Sequence, residues 1–327
     1  MFRRKQPKEP EQVELPRLSI TGAYGKLPTE SDFIQIESNW REVRSLDEIL
    51  QSFYSELSRN ECLEQFQGCG LLLTGGSDRQ CLVAFVNPSE DRSGRFYPFV
   101  LFNRLSDNRF YNRPDASFTA GLNAIEEAIK EDLTKAEIKS SWLELLRDQP
   151  EHVEPIDTRQ AKRHAMTLAE SVLLEDLLNE LVGQDTQLRE HLIGGVLLII
   201  RQLKQSRVHR AYHGIWLPLM SGDNRHSSIA FWLQLLTGVM NAGNWRPDIV
   251  WTTRGTNDRL FVLTRPLTLS SLQATADSQA AVASFLGWSD AIAGSGLPEE
   301  VKVHAQQWIA RPNANLLDAA IEWYQLV

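Results

Sequence analysis

The stretch GLLLTGGSDRQCLVAFVN, residues 70–87, holds two short apolar runs on either side of a glycine-rich segment. Short apolar runs that are bounded by turn residues are typical of buried β-strands. The segment between them, Gly75-Gly76-Ser77-Asp78, supplies residues that tolerate the positive φ of a hairpin turn. The stretch therefore predicts a β-hairpin in which residues 70–74 pair with residues 81–87.

Helical patterns and one more strand surround this hairpin. Ser45-Leu46-Asp47-Glu48 has the form of a capping box, and the apolar residues that follow it recur at the spacing of one helix face. Residues 95–103 indicate another strand, and residues 122–133 and 138–146 indicate two further helices.

The second half of the chain repeats the mixture of helices and strands. The apolar pattern predicts helices over residues 160–182, 187–203 and 227–240, a strand over 215–219, a hairpin of strands 248–253 and 259–264, and closing helices. The predicted fold class is therefore α/β, of the α+β type, with antiparallel sheets flanked by helices in two domains.

Composition and length set the domain boundaries. A chain of 327 residues corresponds to about two domains, and residues 149–158 carry Pro150 and Pro155 without apolar periodicity, which favours a linker. We predict a disordered N-terminal arm over residues 1–17, an α/β domain over residues 18–150, and a second, helix-rich α/β domain over residues 159–327.

Charge and hydropathy exclude several classes of partner. Lys and Arg number 34 against 42 Asp and Glu, a net charge of −8 that disfavours nucleic acid as a partner. The most apolar run, residues 193–200, is shorter than the roughly 20 residues that cross a bilayer, so no membrane insertion is expected. The N-terminus lacks the apolar core of a secretory signal, and the three cysteines lack paired spacing. A cytoplasmic location is expected.

The stretch AYGKLPTESDF, residues 23–33, mixes residue types that phosphate loops and docking loops share. Gly25 precedes Lys26 and Pro28, which is not the spacing of a phosphate-binding loop, and Pro28 also removes an amide donor. In a purely structural interpretation, Pro28 fixes a turn, Phe33 docks on the core, and Lys26 and Asp32 are solvated.

A second rich stretch, PSEDRSGRFYP, covers residues 88–98. Asp91, Arg92 and Arg95 could bind an anion or stabilise a developing charge, which keeps a hydrolase or phosphatase-like site open as an alternative. However, the stretch offers no recognisable nucleophile and base. In the structural interpretation, Gly94 turns the chain and Arg95 pairs with Asp91.

Two histidines invite a metal hypothesis. His209 and His213 are four residues apart, but no third ligand is evident and the segment shows no continuous helical pattern. We therefore predict no metal site and no cofactor.

The two rich stretches together carry a family resemblance. Gly25-Lys26-Leu27-Pro28 followed by Asp32-Phe33, and then Pro88-Ser89-x-Asp91-Arg92-x-Gly94-Arg95-x-x-Pro98, resemble the paired signatures of the TagF family, also called ImpM. Phe96 and Tyr97 match the aromatic pair after Gly-Arg, whereas Ser31 stands where the family pattern has Gly. Residues 251–255 are similar to a tryptophan and glycine segment of many members.

The resemblance implies a regulatory function. TagF proteins are cytoplasmic, post-translational repressors of bacterial type VI secretion, linked to the forkhead-associated scaffold protein of the apparatus and to its threonine-phosphorylation pathway. No catalytic activity comes with the TagF domain, so the resemblance implies a binding protein with a protein partner and not an enzyme.

The signature residues support two hypotheses. The two loops are expected to lie together at one end of the first domain's sheet, braced by an ion pair of Asp32 with Arg92 or Arg95, or forming a docking surface. We favour bracing for Arg95 and docking for Arg92, because Arg92 lies at the middle of its loop. The candidate partner-binding or signature residues are Tyr24, Lys26, Pro28, Asp32, Phe33, Asp91, Arg92, Gly94, Arg95 and Tyr97.

Overall fold

The computed structural model describes residues 22–28, 30–59, 66–74, 80–105, 107–130, 157–205, 212–243, 246–252, 258–293 and 296–326. In these residues nine strands form one sheet in the order β2-β1-β5-β4-β3-β7-β8-β6-β9. The strands are β1 Gly22–Gly25, β2 Ile34–Ile36, β3 Cys69–Leu73, β4 Cys81–Asn87, β5 Phe99–Leu105, β6 Gly214–Pro218, β7 Ile249–Thr252, β8 Arg259–Leu263 and β9 Phe285–Leu286.

Eleven α-helices are described alongside these strands. They are α1 Arg41–Arg59, α2 Pro114–Lys130, α3 Thr158–Glu170, α4 Leu174–Val182, α5 Thr186–Lys204, α6 Arg225–Gly243, α7 Leu269–Ala276, α8 Ser278–Ser284, α9 Trp288–Ile292, α10 Glu299–Ile309 and α11 Leu316–Leu326. The α/β fold class is confirmed.

The sheet lies between two helical layers because its strands are apolar on both faces. Leu72, Val83 and Leu101 face one side, in a core that also contains residues of α2, α5, α6 and α11. Alternate residues such as Leu71 and Val100 face the other side, in a core shared with α1 and α7. Each described strand except β2 therefore contributes apolar side chains to both cores, and β2 contributes to the first core only.

One continuous sheet replaces the separate sheets that the sequence predicts. β3 pairs with β7 in antiparallel register, with Leu71 opposite Val250. This pairing joins strands from both predicted domains, so the division into two domains is not confirmed. The parallel pair of β6 and β9 also makes the sheet mixed.

Trp251 fills the join between the two halves. Its ring packs edge-on against Phe85 at 5.5 Å and Phe118 at 5.3 Å between ring centroids, and the side chain is 1% exposed. A Cβ atom on Gly70 of the neighbouring strand would lie 2.0 Å from the indole, so only glycine leaves room there. The described part of the tryptophan and glycine segment is thus a core element.

Several predicted boundaries change in the structure. The strand prediction for residues 81–87 is confirmed, and its partner is β3. Helix α1 begins at Arg41, so Ser45 lies inside it and does not cap it. The strand predicted from residue 95 begins at Phe99, since the preceding residues form a loop.

The long helix predicted over residues 160–182 is two helices. Between α3 and α4, Leu173 forms a β-bridge with Asn315, and the Leu174 amide donates to the Ala314 carbonyl at 2.8 Å. This contact with a distant segment interrupts the helix where the local pattern gives no break. The 1–17 arm, the hairpin turn at 75–78, the 138–146 helix and most of the 149–158 linker lie outside the described residues.

The features described below lie at one edge of the sheet, which is formed by the ends of the strands. The antiparallel registers place the carboxyl ends of β1, β4, β7 and β6 at this edge, together with the amino ends of β3, β5 and β8. The two signature loops, residues 26–33 and 88–98, leave the sheet there.

Candidate functional site: the signature loops

The first signature loop leaves β1 at a glycine. Gly25 has a φ of +121°, and a Cβ atom there would lie 2.0 Å from the Pro98 carbonyl oxygen, so the crossing requires glycine. Beyond it, the Glu30 amide donates to the Leu27 carbonyl at 3.0 Å and closes a turn around Pro28. Leu27 is buried, which anchors this turn to the core. The predicted turn at Pro28 is confirmed.

The second signature loop folds around the Asp91 carboxylate. Oδ1 accepts hydrogen bonds from the backbone amides of Ser93 at 2.9 Å and Arg95 at 3.0 Å. Oδ2 accepts from Arg95 Nε at 2.6 Å, and Gly94 makes the turn with a φ of +74°. This arrangement confirms the interpretation in which Gly94 turns the chain and Arg95 pairs with Asp91.

The same carboxylate joins the two loops. Lys26 Nζ lies 3.2 Å from Asp91 Oδ2, and the Asp91 side chain is 1% exposed. The backbone reinforces the contact, because the Arg92 amide donates to the Glu30 carbonyl at 3.2 Å and Arg95 Nη2 donates to the Ser31 carbonyl at 3.3 Å. The two loops therefore form one unit.

The electrostatics explain why a buried carboxylate is tolerated here. Burial alone raises the pKa of Asp91, but hydrogen bonds from the Arg95 amide, from Lys26 and from the Arg95 side chain outweigh it. The net effect holds the pKa of Asp91 well below its usual range. Asp91 is thus a brace that is charged at neutral pH.

An aromatic layer lies beneath the loops. Phe33 packs edge-on against Tyr97 with ring centroids 5.2 Å apart, and it stacks on Tyr24 at 6.5 Å. The Tyr97 hydroxyl donates to the Asp47 carboxylate on α1, and its ring lies 6.1 Å from that of Tyr54. This layer fixes the loops to the sheet and to α1.

The predicted brace through Asp32 is wrong. Asp32 is exposed and makes no hydrogen bond or ion pair within the described part of the chain, whereas Asp91 holds the loops together. Lys26, expected to be solvated, is drawn into this contact and its side chain is 18% exposed. The sequence carried a signal for the turn at Asp91, since Ser93 and Gly94 lie two and three residues after it, and Asp, Ser and Gly are typical residues of side-chain-stabilised turns.

The signature residues divide into an inner and an outer set. Tyr24 is buried and Tyr97 is half-buried, so they pack within the protein. Arg92 is exposed, and its side chain has no hydrogen-bond partner among the described residues. Phe33 is 39% exposed and Phe96 is 56% exposed. We call Phe33, Arg92 and Phe96 the exposed signature patch.

Other candidate chemistry does not assemble at the loops. In the described ranges no group of three His, Cys, Asp or Glu residues could hold a metal ion. His213 is partly exposed at the start of β6, and His209 lies outside the described residues. The helices that are described include none long and apolar enough to span a bilayer.

Two residues that support the site were missed by sequence analysis. Asp47 accepts the Tyr97 hydroxyl, and Tyr54 packs on the same ring. Both lie on α1 and far from the signature motifs in sequence. The helical spacing of the apolar residues places Asp47 beside the buried face of α1, but it does not indicate which loop Asp47 contacts.

The comparison with protein families agrees with this geometry. Residues 22–148 match the model of the TagF N-terminal domain, described as type VI secretion system-associated. No curated protein matches the chain. The matched range contains both signature loops, the Asp91 brace and helix α1. Residues 22–148 therefore belong to the TagF N-terminal domain family, which is associated with the type VI secretion system.

Proposed function

We propose that this protein is a cytoplasmic repressor of type VI secretion that acts by binding a protein partner through the exposed signature patch. The carrying observation is that Phe33, Arg92 and Phe96 face solvent on loops that are braced internally by Asp91. Aromatic residues and arginine dominate the binding energy of protein interfaces. A braced loop also loses little conformational entropy when a partner docks.

The family resemblance supplies the partner. TagF proteins are linked to the forkhead-associated scaffold of the secretion apparatus, and we propose that scaffold protein as the ligand of the patch. Type VI association of the matched domain supports this choice.

The hydrolase alternative at Asp91, Arg92 and Arg95 has less support. Asp91 has a depressed pKa, is 1% exposed and accepts hydrogen bonds at both oxygens, so it is a weak base that substrate cannot reach. We therefore propose a binding function and not an enzymatic one.

The test measures the affinity of the purified full chain for the purified scaffold protein by calorimetry. Arg92→Ala and Phe96→Ser are each expected to weaken binding at least about 10-fold, as interface anchors do. Matched controls on α3 and α10, Arg163→Ala and Val303→Ser, replace an exposed arginine and an exposed apolar residue away from the patch. These controls should bind normally.

Secretion provides the second readout. A strain that carries Arg92→Ala in place of the natural protein should secrete as strongly as a deletion strain, while the protein level stays normal. If Arg92→Ala is stable, binds the scaffold and represses secretion, docking at the patch is disproved. Phosphatase turnover that Arg92→Ala abolishes in folded protein would support the enzyme alternative instead.

A further inference from the structure

The outermost strand of the sheet, β2, has one side without a partner strand in the described ranges. The strand order begins with β2, whose residues Ile34–Ile36 pair in antiparallel register with β1 alone. Within the described residues, no backbone hydrogen bond outside the sheet involves residues 33–37. An outermost strand with an unpaired side presents N–H and C=O groups that another extended segment can pair with.

The unpaired side of β2 continues directly from the exposed signature patch. Phe33 immediately precedes β2, stacks on Tyr24 with ring centroids 6.5 Å apart, and is 39% exposed. Gln35 lies opposite Tyr24 in the register with β1, so it stands on the same face of the sheet as Phe33. Gln35 is exposed, whereas Ile34 is buried in the core on the opposite face. A segment that docks on Phe33 therefore meets the backbone of β2 and the Gln35 side chain next.

Two carboxylates flank the strand. Asp32 and Glu37 are both exposed, and neither makes a hydrogen bond or an ion pair within the described part of the chain. Residues 33–36 between them carry no charge. Glu37 has a φ of +51°, and the chain leaves the sheet there after the three paired residues of β2. The strand thus offers a short row of backbone groups between two unneutralised negative charges.

These charges argue against a second copy of this chain as the occupant. Antiparallel pairing of two β2 strands brings Asp32 of one copy close to Glu37 of the other, and facing like charges destabilise a strand pair. A strand of three residues also supplies few backbone hydrogen bonds, so stable pairing needs side-chain contacts as well. An extended segment with basic residues toward both ends supplies those contacts.

We propose that β2 binds an extended segment of the partner protein by strand addition. The segment carries Lys or Arg at two positions about five residues apart, which meet Asp32 and Glu37, and an apolar side chain that packs on Phe33. Main-chain hydrogen bonds to β2 hold the segment, and these side chains select it. This inference rests on the proposed function, since it names the part of the partner that the patch receives.

The first test measures hydrogen exchange of the full chain, alone and with the purified scaffold protein. The outward-facing amides of residues 34–36 should exchange at least about 10-fold more slowly in the complex, because strand addition pairs them. Protection in the free chain that grows with concentration would show a second copy on β2. Protection in the free chain at every concentration would show that the chain covers its own strand, and either result would overturn the proposal.

The second test reverses the two charges. The double variant Asp32→Lys/Glu37→Lys should bind the scaffold at least about 10-fold more weakly in calorimetry, and the affinity of the natural protein should fall as salt is raised. The matched control is Glu170→Lys/Asp223→Lys, which reverses two exposed carboxylates at the end of α3 and after β6. The control should bind normally, and melting curves establish that both double variants are folded. Equal affinities of the two double variants would contradict the proposed chemistry of the segment.

The outcomes separate this inference from the proposed function. If Arg92→Ala and Phe96→Ser weaken binding but the amides of residues 34–36 exchange in the complex as in the free chain, the patch docks and strand addition is disproved. If both patch variants bind normally, docking at Arg92 and Phe96 fails, while slower exchange at residues 34–36 still supports strand addition. If the scaffold does not bind the natural protein, both proposals are overturned.

Discussion

The signature loops lie at the same edge of the sheet as a cavity of about 380 Å³ beside the carboxyl end of β6, which we call the β6 cavity, and the two regions use charge in opposite ways. At the loops, a buried carboxylate pairs with both Lys26 and Arg95, and aromatic rings pack beneath the loops. At the cavity, Arg259 lies at the wall of a hollow. The interior of the first region is filled by these contacts, while the second region encloses a hollow.

Two buried carboxylates express this difference. Burial raises the pKa of Asp258, and the Arg225 charge only partly offsets it, so the net shift is upward. Asp91 has the opposite net shift because its hydrogen bonds outweigh burial. The protein therefore solvates the Asp91 charge better than water does, and the Asp258 charge less well.

The largest expected effect tests whether the two regions belong to one folding unit. Trp251→Ala removes a fully buried indole at the join of β3 and β7 and should cost about 3–5 kcal/mol of the free energy of unfolding. Calorimetry should show one transition that shifts as a whole, because the sheet is continuous. Two transitions, of which the variant shifts only one, would instead support the predicted pair of domains.

The second prediction concerns the brace. Asp91→Asn leaves Lys26 and Arg95 without their carboxylate and should lower the melting midpoint by several degrees at pH 7. The folded-state pKa is below the unfolded value of about 3.9, so this stabilisation is complete above that value and is lost as pH falls through the folded pKa. The difference in melting midpoint between the natural protein and Asp91→Asn should thus become smaller below about pH 4.

Asp258→Asn is the control, and we expect it to change the pH dependence of stability in the opposite direction. Because the pKa of Asp258 is raised on folding, ionisation destabilises the folded state as pH rises from about 4 through the folded pKa. The melting midpoint of Asp258→Asn should therefore rise relative to that of the natural protein over that pH interval. Melting midpoints measured from pH 2 to pH 8 compare the two variants, and the same pH trend in both would contradict the contrast between the two regions.

Strong local patterns predicted most of the regular structure. The apolar run of β4 was predicted to the residue because its side chains are buried on both faces. In contrast, β1 and β2 were missed, because β1 has only four residues with a glycine at each end and β2 has only three residues, which is too short to show a periodicity. Their strand conformation depends on pairing between β1, β2 and β5.

The candidate site shows the same division between local and distant contacts. The Asp91–Arg95 pair spans four residues and could be predicted from its own loop. The Lys26 contact could not, because it depends on how two distant loops meet. The β6 cavity was also beyond prediction, since separate helices and strands each contribute only a few of its residues.

A smaller effect is expected where the aromatic layer meets α1. Tyr97→Phe removes the hydroxyl that donates to Asp47 while it keeps the ring contacts with Phe33 and Tyr54. The loss should be about 0.5–1.5 kcal/mol in the free energy of unfolding, measured by urea denaturation. If the patch docks as proposed, scaffold affinity should remain close to normal. A loss as large as that of Trp251→Ala would show that this hydroxyl organises the whole loop unit.

The smallest expected effect distinguishes the two partners of Asp91. The Arg95 side chain is 65% exposed, so solvent screens its ion pair, and Arg95→Ala should cost only about 0–1 kcal/mol of the free energy of unfolding. Asp91 keeps Lys26, which is 18% exposed, and the Ser93 and residue 95 backbone amides also remain available. Lys26→Met should therefore be the more damaging change, because it removes the less exposed cation. Urea denaturation of both variants compares them directly, and a larger loss for Arg95→Ala would show that the guanidinium carries the brace through its contact with the Ser31 carbonyl.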